Sequence, residues 1–210
     1  MDLIAWLKNT AVVPIIRTPD AESAAAAVQA LVEGGLDCVE ITMTVDRAIQ
    51  ALEIVADRYG DRVLLGAGTV LDPETARACI LAGAQFIVTP ALNTQTIALA
   101  RRYSRPIFPG ALTPTEVVAA WEAGADAVKV FPCNVVGGPK YIKALKAPLP
   151  QIELFPTGGV SLETVPDFFA AGAMAVGAGS ELVDNRLLAE RKYDEITDRA
   201  RKFRAAVPKR

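Results

Sequence analysis

One pattern in this chain leaves few folds open to it. A short apolar run is followed by a helical stretch, and the pair recurs along the whole length. Marked at Arg17, Met43, Thr69, Pro90, Gly110, Phe131, Thr157 and Gly179, the ends of the apolar runs are spaced by 20 to 26 residues. The helical stretches close repeatedly on a glycine pair or Gly-Ala: Gly34-Gly35, Gly83-Ala84, Gly124-Ala125 and Gly172-Ala173. Eight strand–helix units at this period predict an α/β fold, a single (β/α)8 TIM barrel over 1–210. The rival, an open doubly wound sheet, wants a glycine-rich turn after the first strand, and Arg17-Thr18-Pro19 is not one.

The individual elements follow. Residues 1–9 read as a short N-terminal amphipathic helix with Leu3, Ile4, Trp6 and Leu7 on its apolar side. Strands are predicted at 11–17, 38–43, 63–69, 86–90, 107–110, 127–132, 152–159 and 175–180. The first barrel helix should be capped by Thr18, take Pro19 as its first helical residue and stop at Gly34-Gly35. Further helices are predicted at 45–59, from Pro73, and at 94–103, 113–123, 139–147, 162–171 and 189–206.

Composition narrows the function classes. A chain of 210 residues, 51% hydrophobic, suits one good core. The net charge of −2 argues against nucleic acid or an anionic membrane as the main partner. No apolar run reaches the roughly 20 residues needed to span a bilayer. Three cysteines, Cys38, Cys79 and Cys133, with no CxxC and no signal-like start, fit a reduced cytoplasmic home. Histidine is absent, which removes His-ligated metals, a Ser-His-Asp triad and a histidine base together. No metal or cofactor is expected.

In a barrel of this kind the chemistry lies at the C-terminal ends of the strands. Alternation in 127–132 puts Val128 and Val130 on one face and Ala127, Lys129 and Phe131 on the other. A lysine among such neighbours loses hydration, its pKa falls, and the neutral amine is a nucleophile for carbonyl carbon. The plainer reading is a structural ion pair. In the second strand Val39, Ile41 and Met43 share one face, and Cys38, Glu40 and Thr42 the other. The polar face can only be the lumen, so Glu40 and Lys129 would meet there, and the carboxylate can move protons directly or through a water.

Anion binding is read from two glycine-rich strand ends. Thr157-Gly158-Gly159-Val160 and Gly177-Ala178-Gly179-Ser180 follow the seventh and eighth strands, the usual phosphate site of this barrel, and a following helix N-terminus would add positive charge. Gly66-Ala67-Gly68-Thr69 is similar. There the Thr69 hydroxyl would meet a carboxylate, while Gly66 and Gly68 would make room inside the barrel. Arg17 ends the first strand as an anion clamp or as a solvated rim residue. Pro90 marks the fourth strand's end. Phe131 is a packing residue or a wall that keeps the amine dry. Cys133 is read as a spectator.

Six motifs in order carry a family resemblance: Glu40-Ile41-Thr42, Gly66-Ala67-Gly68-Thr69-Val70, Val88-Thr89-Pro90, Lys129-Val130-Phe131-Pro132, Pro156-Thr157-Gly158-Gly159-Val160 and Gly177-Ala178-Gly179-Ser180. Over about residues 10–185 the chain resembles the 2-keto-3-deoxy-6-phosphogluconate aldolase family. That resemblance implies a homotrimer of barrels and a metal-free Schiff-base aldolase. The phosphorylated 2-keto acid substrate would split into pyruvate and glyceraldehyde 3-phosphate. Cleavage of 4-hydroxy-2-oxoglutarate to pyruvate and glyoxylate would be an accompanying activity. It further implies that Lys129 forms the imine, Glu40 moves protons, Thr69 and Thr157 hold the carboxylate, Phe131 packs beside the imine, and Gly158, Gly159, Gly179 and Ser180 hold phosphate.

Where many members carry an arginine after the Glu-Ile-Thr motif, this chain has Thr44, and Arg17 would supply the charge. Tyr141 to Lys146 resembles the sixth helix of the related phosphogalactonate aldolases, but Thr42 and Thr157 favour the gluconate substrate. Two other classes compete. One is a phosphate-binding barrel isomerase. The other is a non-catalytic assembly subunit using the Ala-rich helix around 24–30.

Overall fold

The computed structural model of the chain describes residues 2–208. Met1, Lys209 and Arg210 lie outside the described residues, and with them the ends of the expected 1–210 domain and the first residue of the expected 1–9 helix. The fold is α/β with parallel strands in two curled sheets. The strands are β1 (Val12–Ile16), β2 (Cys38–Thr42), β3 (Leu64–Gly68), β4 (Phe86–Val88), β5 (Ile107–Phe108), β6 (Gly110–Ala111), β7 (Val128–Val130), β8 (Leu154–Pro156) and β9 (Val176–Ala178). The first sheet runs β5-β4-β3-β2-β1-β9 and the second β6-β7-β8.

The expected fifth strand, 107–110, is therefore two short pieces broken at Pro109. Proline has no N–H to give a ladder, but its carbonyl still accepts from Lys129 N at 2.9 Å. On the far side of β8, Thr157 bridges Gly177 of β9 in parallel.

Helices cover the outside: α1 (Leu3–Thr10), α2 (Ala21–Glu33), α3 (Ala48–Tyr59), α4 (Pro73–Leu81), α5 (Thr94–Arg102), α6 (Pro114–Glu122), α7 (Pro139–Lys146), α8 (Val165–Ala170), α9 (Asn185–Ala189) and α10 (Tyr193–Ala206). Several predicted boundaries move, three of them for a visible reason. α2 is capped by Asp20, not Thr18, and Pro19 stays outside it. An ionised carboxylate is the stronger acceptor, and Asp20 takes both Ser23 N at 2.7 Å and Ser23 Oγ at 3.0 Å, while the Thr18 hydroxyl donates to the Asp20 carbonyl. The helix expected at 162–171 starts only at Val165, because Ser161 and Thr164 close a turn on each other. The helix expected at 189–206 starts only at Tyr193, and a separate short helix, α9, ends at Ala189 before it. Arg191 takes a left-handed φ of 54° between α9 and α10.

Two apolar layers result. The outer one joins the helices to Val39, Ile41, Val128 and Val130. The inner one gathers Val13, Cys38, Leu64, Phe86, Phe108, Phe155 and Met174 between the curled sheets, and Leu7 of α1 packs into it at the N-terminal strand ends. Each such Leu or Phe side chain contributes roughly 1.5–3 kcal/mol on burial. The rings of Phe86, Phe108 and Phe155 pack in sequence at tilted angles, with centroids 5.6 and 5.8 Å apart. This plug leaves the other end of the strands for polar groups.

Candidate active site

The strand alternation turns Lys129 and Glu40 to the inner faces of the curled sheets, where they meet. Val128 and Val130 join the outer layer, so Lys129 between them points inward, with only 3% of its side chain exposed. Val39 and Ile41 likewise turn Glu40 inward, fully buried. Lys129 Nζ stands 3.9 Å from Glu40 Oε1. That is beyond direct hydrogen-bond length and fits a bridged contact. Neither Glu40 oxygen has a hydrogen-bond partner, and Gly68 across the β2–β3 ladder is what gives the carboxylate room. A Cβ at Gly68 would fall on the Glu40 carboxylate.

Burial is the main influence on the Lys129 ammonium and holds its pKa below the ordinary lysine value of 10.5. Glu40 opposes that shift and Arg17 adds to it. The Phe131 ring lies 5.2 Å from Nζ, close enough to attract the charged form and to exclude water from one side.

A cavity of about 230 Å³ shares Phe131 with this pair's surroundings, though neither Lys129 nor Glu40 lines it, and most of the expected binding residues do: Arg17, Phe131, Thr157, Gly158, Gly159, Gly179 and Ser180. Thr157 is 4% exposed, and its buried Oγ1 has no partner. A buried hydroxyl without a partner is costly unless a ligand meets it. Gly158 and Gly159 take φ of 99° and 73°, where a side chain would be strained, and so bring their backbone to the cavity wall.

The helix termini stand back. α8 begins eight residues after Thr157 and α9 six after Gly179, so neither helix opens directly on these strand ends as expected. Asp184 already caps α9 through Arg186 N. Any anion here would be met by loop backbone, Ser180 and Arg17.

Thr69 and Pro90 do not line that cavity. They stand half-buried at the ends of β3 and β4, across the mouth. Thr69 takes a left-handed φ of 57°. For a β-branched residue that stores about 1–3 kcal/mol of strain, of a kind that clusters at ligand sites.

Val160 and Gly177, from the two glycine-rich strand ends, also line the cavity, as do Ile15 and Glu181, which were not anticipated. Ile15 shares the Arg17 face by alternation, so the pattern contained it. Nothing in the sequence marked Glu181, nor the Asn134 side chain packed on Gly158 and Gly159. Burial pushes the Cys133 thiol up to about 11, which keeps it an inert neighbour. Among the described residues no group of three or more Cys, Asp or Glu stands close enough to hold a metal ion. No helix among them is long and apolar enough to cross a membrane. A larger cavity of about 430 Å³ lies by Lys8, Glu153, Phe169 and Met174, at the opposite ends of the strands from Lys129.

Residues 3–199 match the family model of the KDPG and KHG aldolases. A 2-dehydro-3-deoxy-6-phosphogalactonate aldolase of Escherichia coli K12 is 38% identical over 203 residues, spanning 96% of this chain and 98% of that one. A 2-dehydro-3-deoxy-phosphogluconate aldolase of Haemophilus influenzae is 34% identical, spanning 92% and 91%. The crystal structure of a KDPG aldolase from Legionella pneumophila, holding pyruvate as a covalent carbinolamine intermediate, superimposes with a TM-score of 0.88. It is 27% identical and covers 96% of this chain and 97% of its own.

Proposed function

Since this chain belongs to the KDPG and KHG aldolase family, we propose that it is a Schiff-base aldolase, a carbon–carbon lyase that splits 2-keto-3-deoxy-6-phosphogluconate into pyruvate and glyceraldehyde 3-phosphate. One observation carries the reading: a buried lysine amine faces, 3.9 Å away, a buried carboxylate that has no hydrogen-bond partner.

The steps follow from that pair. Neutral Lys129 attacks the C2 ketone, and loss of water leaves an iminium. Glu40 takes the proton of the C4 hydroxyl through a bridging water, the C3–C4 bond breaks, and its electrons enter the iminium. The aldehyde leaves, the enamine is protonated at C3, and hydrolysis frees pyruvate and the amine. The relative from Legionella, captured with pyruvate as a carbinolamine, supports the covalent step.

The remaining residues take binding roles. Thr157 and Thr69 hold the carboxylate, the former because its buried hydroxyl has no other partner. Gly158, Gly159, Gly179 and Ser180 hold the phosphate, with Arg17 offsetting Glu181 at the rim. Phe131 and Pro90 wall the reacting carbons. The same site accommodates 4-hydroxy-2-oxoglutarate, which lacks the phosphate. The two curled sheets make one closed eight-stranded barrel, in which β5 and β6 are a single strand and the Thr157–Gly177 bridge joins β8 to β9. A cytoplasmic homotrimer completes the reading, and light scattering tests the assembly.

The C4 epimer, the phosphogalactonate, is the second reading, favoured by 38% identity to an aldolase of that substrate against 34% to one of the gluconate. Thr42 and Thr157 argue for the gluconate. Pyruvate release from each epimer decides: a higher kcat/KM for the gluconate is expected, and the reverse order reassigns the substrate. Release from neither, with no imine, would leave the phosphate-binding isomerase.

A further inference from the structure

A second pair of hydroxyls at the mouth has no part in the steps above. Thr42 is fully buried on the Glu40 face of β2, and its Oγ1 donates to the Ile16 carbonyl at 3.1 Å. Thr44 Oγ1 lies 2.7 Å from the same Thr42 oxygen. A hydroxyl has one proton, and a carbonyl has none. With the Thr42 proton spent on Ile16, the bond between the threonines forms only if Thr44 donates. The direction of the chain is thereby fixed: Thr44 to Thr42 to the Ile16 carbonyl.

Thr44 itself is exposed. Its proton is directed inward, so it shows the mouth only lone pairs. Its place follows from the ladders. Ile16 is opposite Ile41, and Thr42 is opposite Gly68. Thr44, two residues beyond the end of β2, therefore sits between the end of β1, which carries Arg17, and the end of β3, which carries Thr69. An oxygen with only lone pairs suits a C–O–H group and repels a carboxylate or phosphate, which are acceptors alone.

We propose that Thr44 is a specificity residue: its hydroxyl, polarised by Thr42 and the Ile16 carbonyl, accepts a hydrogen bond from the α-hydroxyl of the aldehyde half of the substrate. The inference rests on the aldolase reading. It explains why a neutral, one-way acceptor stands at a rim whose other polar groups, Arg17 and the glycine-rich backbone, suit anions. A structural alternative exists, in which the two threonines only tie down the turn at 43–47.

The test runs the reaction as a condensation. Pyruvate is offered with glyceraldehyde 3-phosphate or with its 2-deoxy analogue, 3-phosphooxypropanal. The wild type, Thr44→Val and Thr44→Ser are compared, and melting temperatures confirm folding. Thr44→Val should lower the kcat/KM ratio of the hydroxylated to the deoxy aldehyde by about fivefold to tenfold, the value of one neutral hydrogen bond. Thr44→Ser, which keeps the oxygen, should restore it. An equal loss on both aldehydes, or a ratio unchanged in Thr44→Val, overturns the proposal in favour of the structural role. Borohydride trapping of pyruvate is run alongside. An adduct on Lys129 with an unchanged ratio sinks the Thr44 role alone, whereas no adduct on the wild type sinks the aldolase reading and this one with it.

Discussion

Burial and two charges set the state of Lys129. Burial favours the neutral amine, Glu40 favours the ammonium, and Arg17 disfavours it. The acid limb of the rate of pyruvate adduct formation should therefore lie below 10.5, because the neutral amine is lost only as pH falls through the lowered pKa. The signs for neighbours follow. Glu40→Gln removes the group that stabilises the ammonium and should move that limb to lower pH. Arg17→Ala removes a repelling charge and should move it to higher pH. Stopped-flow trapping across pH measures both. Glu40→Gln should also cut kcat by about 10²–10⁴, the range for a lost acid–base group, with the adduct still forming. At this scale the sequence was most readable. Two valines flanking Lys129, and Val39 with Ile41 flanking Glu40, fix which way each polar side chain points, since strand alternation allows no other choice. The left-handed Thr69 and the packing of Asn134 on Gly158 and Gly159 were not readable, because each depends on loop paths that no short-range pattern sets.

Elements were legible in kind and less so at their ends. The period of strand and helix survives, because helices must cover both the strands and one another. Boundaries are decided by single acceptors competing for free N–H groups. Asp20 outcompetes Thr18 at α2, while Thr113 caps α6 and its own N–H donates in return to the Glu116 carboxylate at 2.7 Å. Thr113→Ala should cost about 1 kcal/mol of stability in a thermal or denaturant melt. The same backbone bonds hold the Glu116 pKa below 4.5, so the carboxylate's contribution is present above the ordinary value and fades as pH falls through the lowered one. β3 shows the reverse case, where an element is shaped by the site. Gly68 is small because the Glu40 carboxylate fills the space above it. Gly68→Ala should cost about 1–3 kcal/mol by overpacking and lower kcat as Glu40 is pushed aside, read by paired melts and turnover assays.

The whole molecule separates stability from chemistry along the strand axis. Leu7 of α1 closes the inner core at one end, and the Lys129–Glu40 pair with its cavity occupies the other. Leu7→Ala should therefore cost about 2–5 kcal/mol and leave kcat of the folded enzyme near that of the wild type. The split fifth strand and the curl into two sheets were not foreseen, since Pro109 breaks the ladder without breaking the period. The architecture converges on one amine, and one measurement addresses it most directly. The protein and its Lys129→Ala variant are incubated with pyruvate and borohydride, weighed intact and mapped by peptide. The account predicts a reduced pyruvate adduct on Lys129 in the wild type and none in the variant. A folded wild-type protein that captures no pyruvate, or captures it on another lysine, contradicts it.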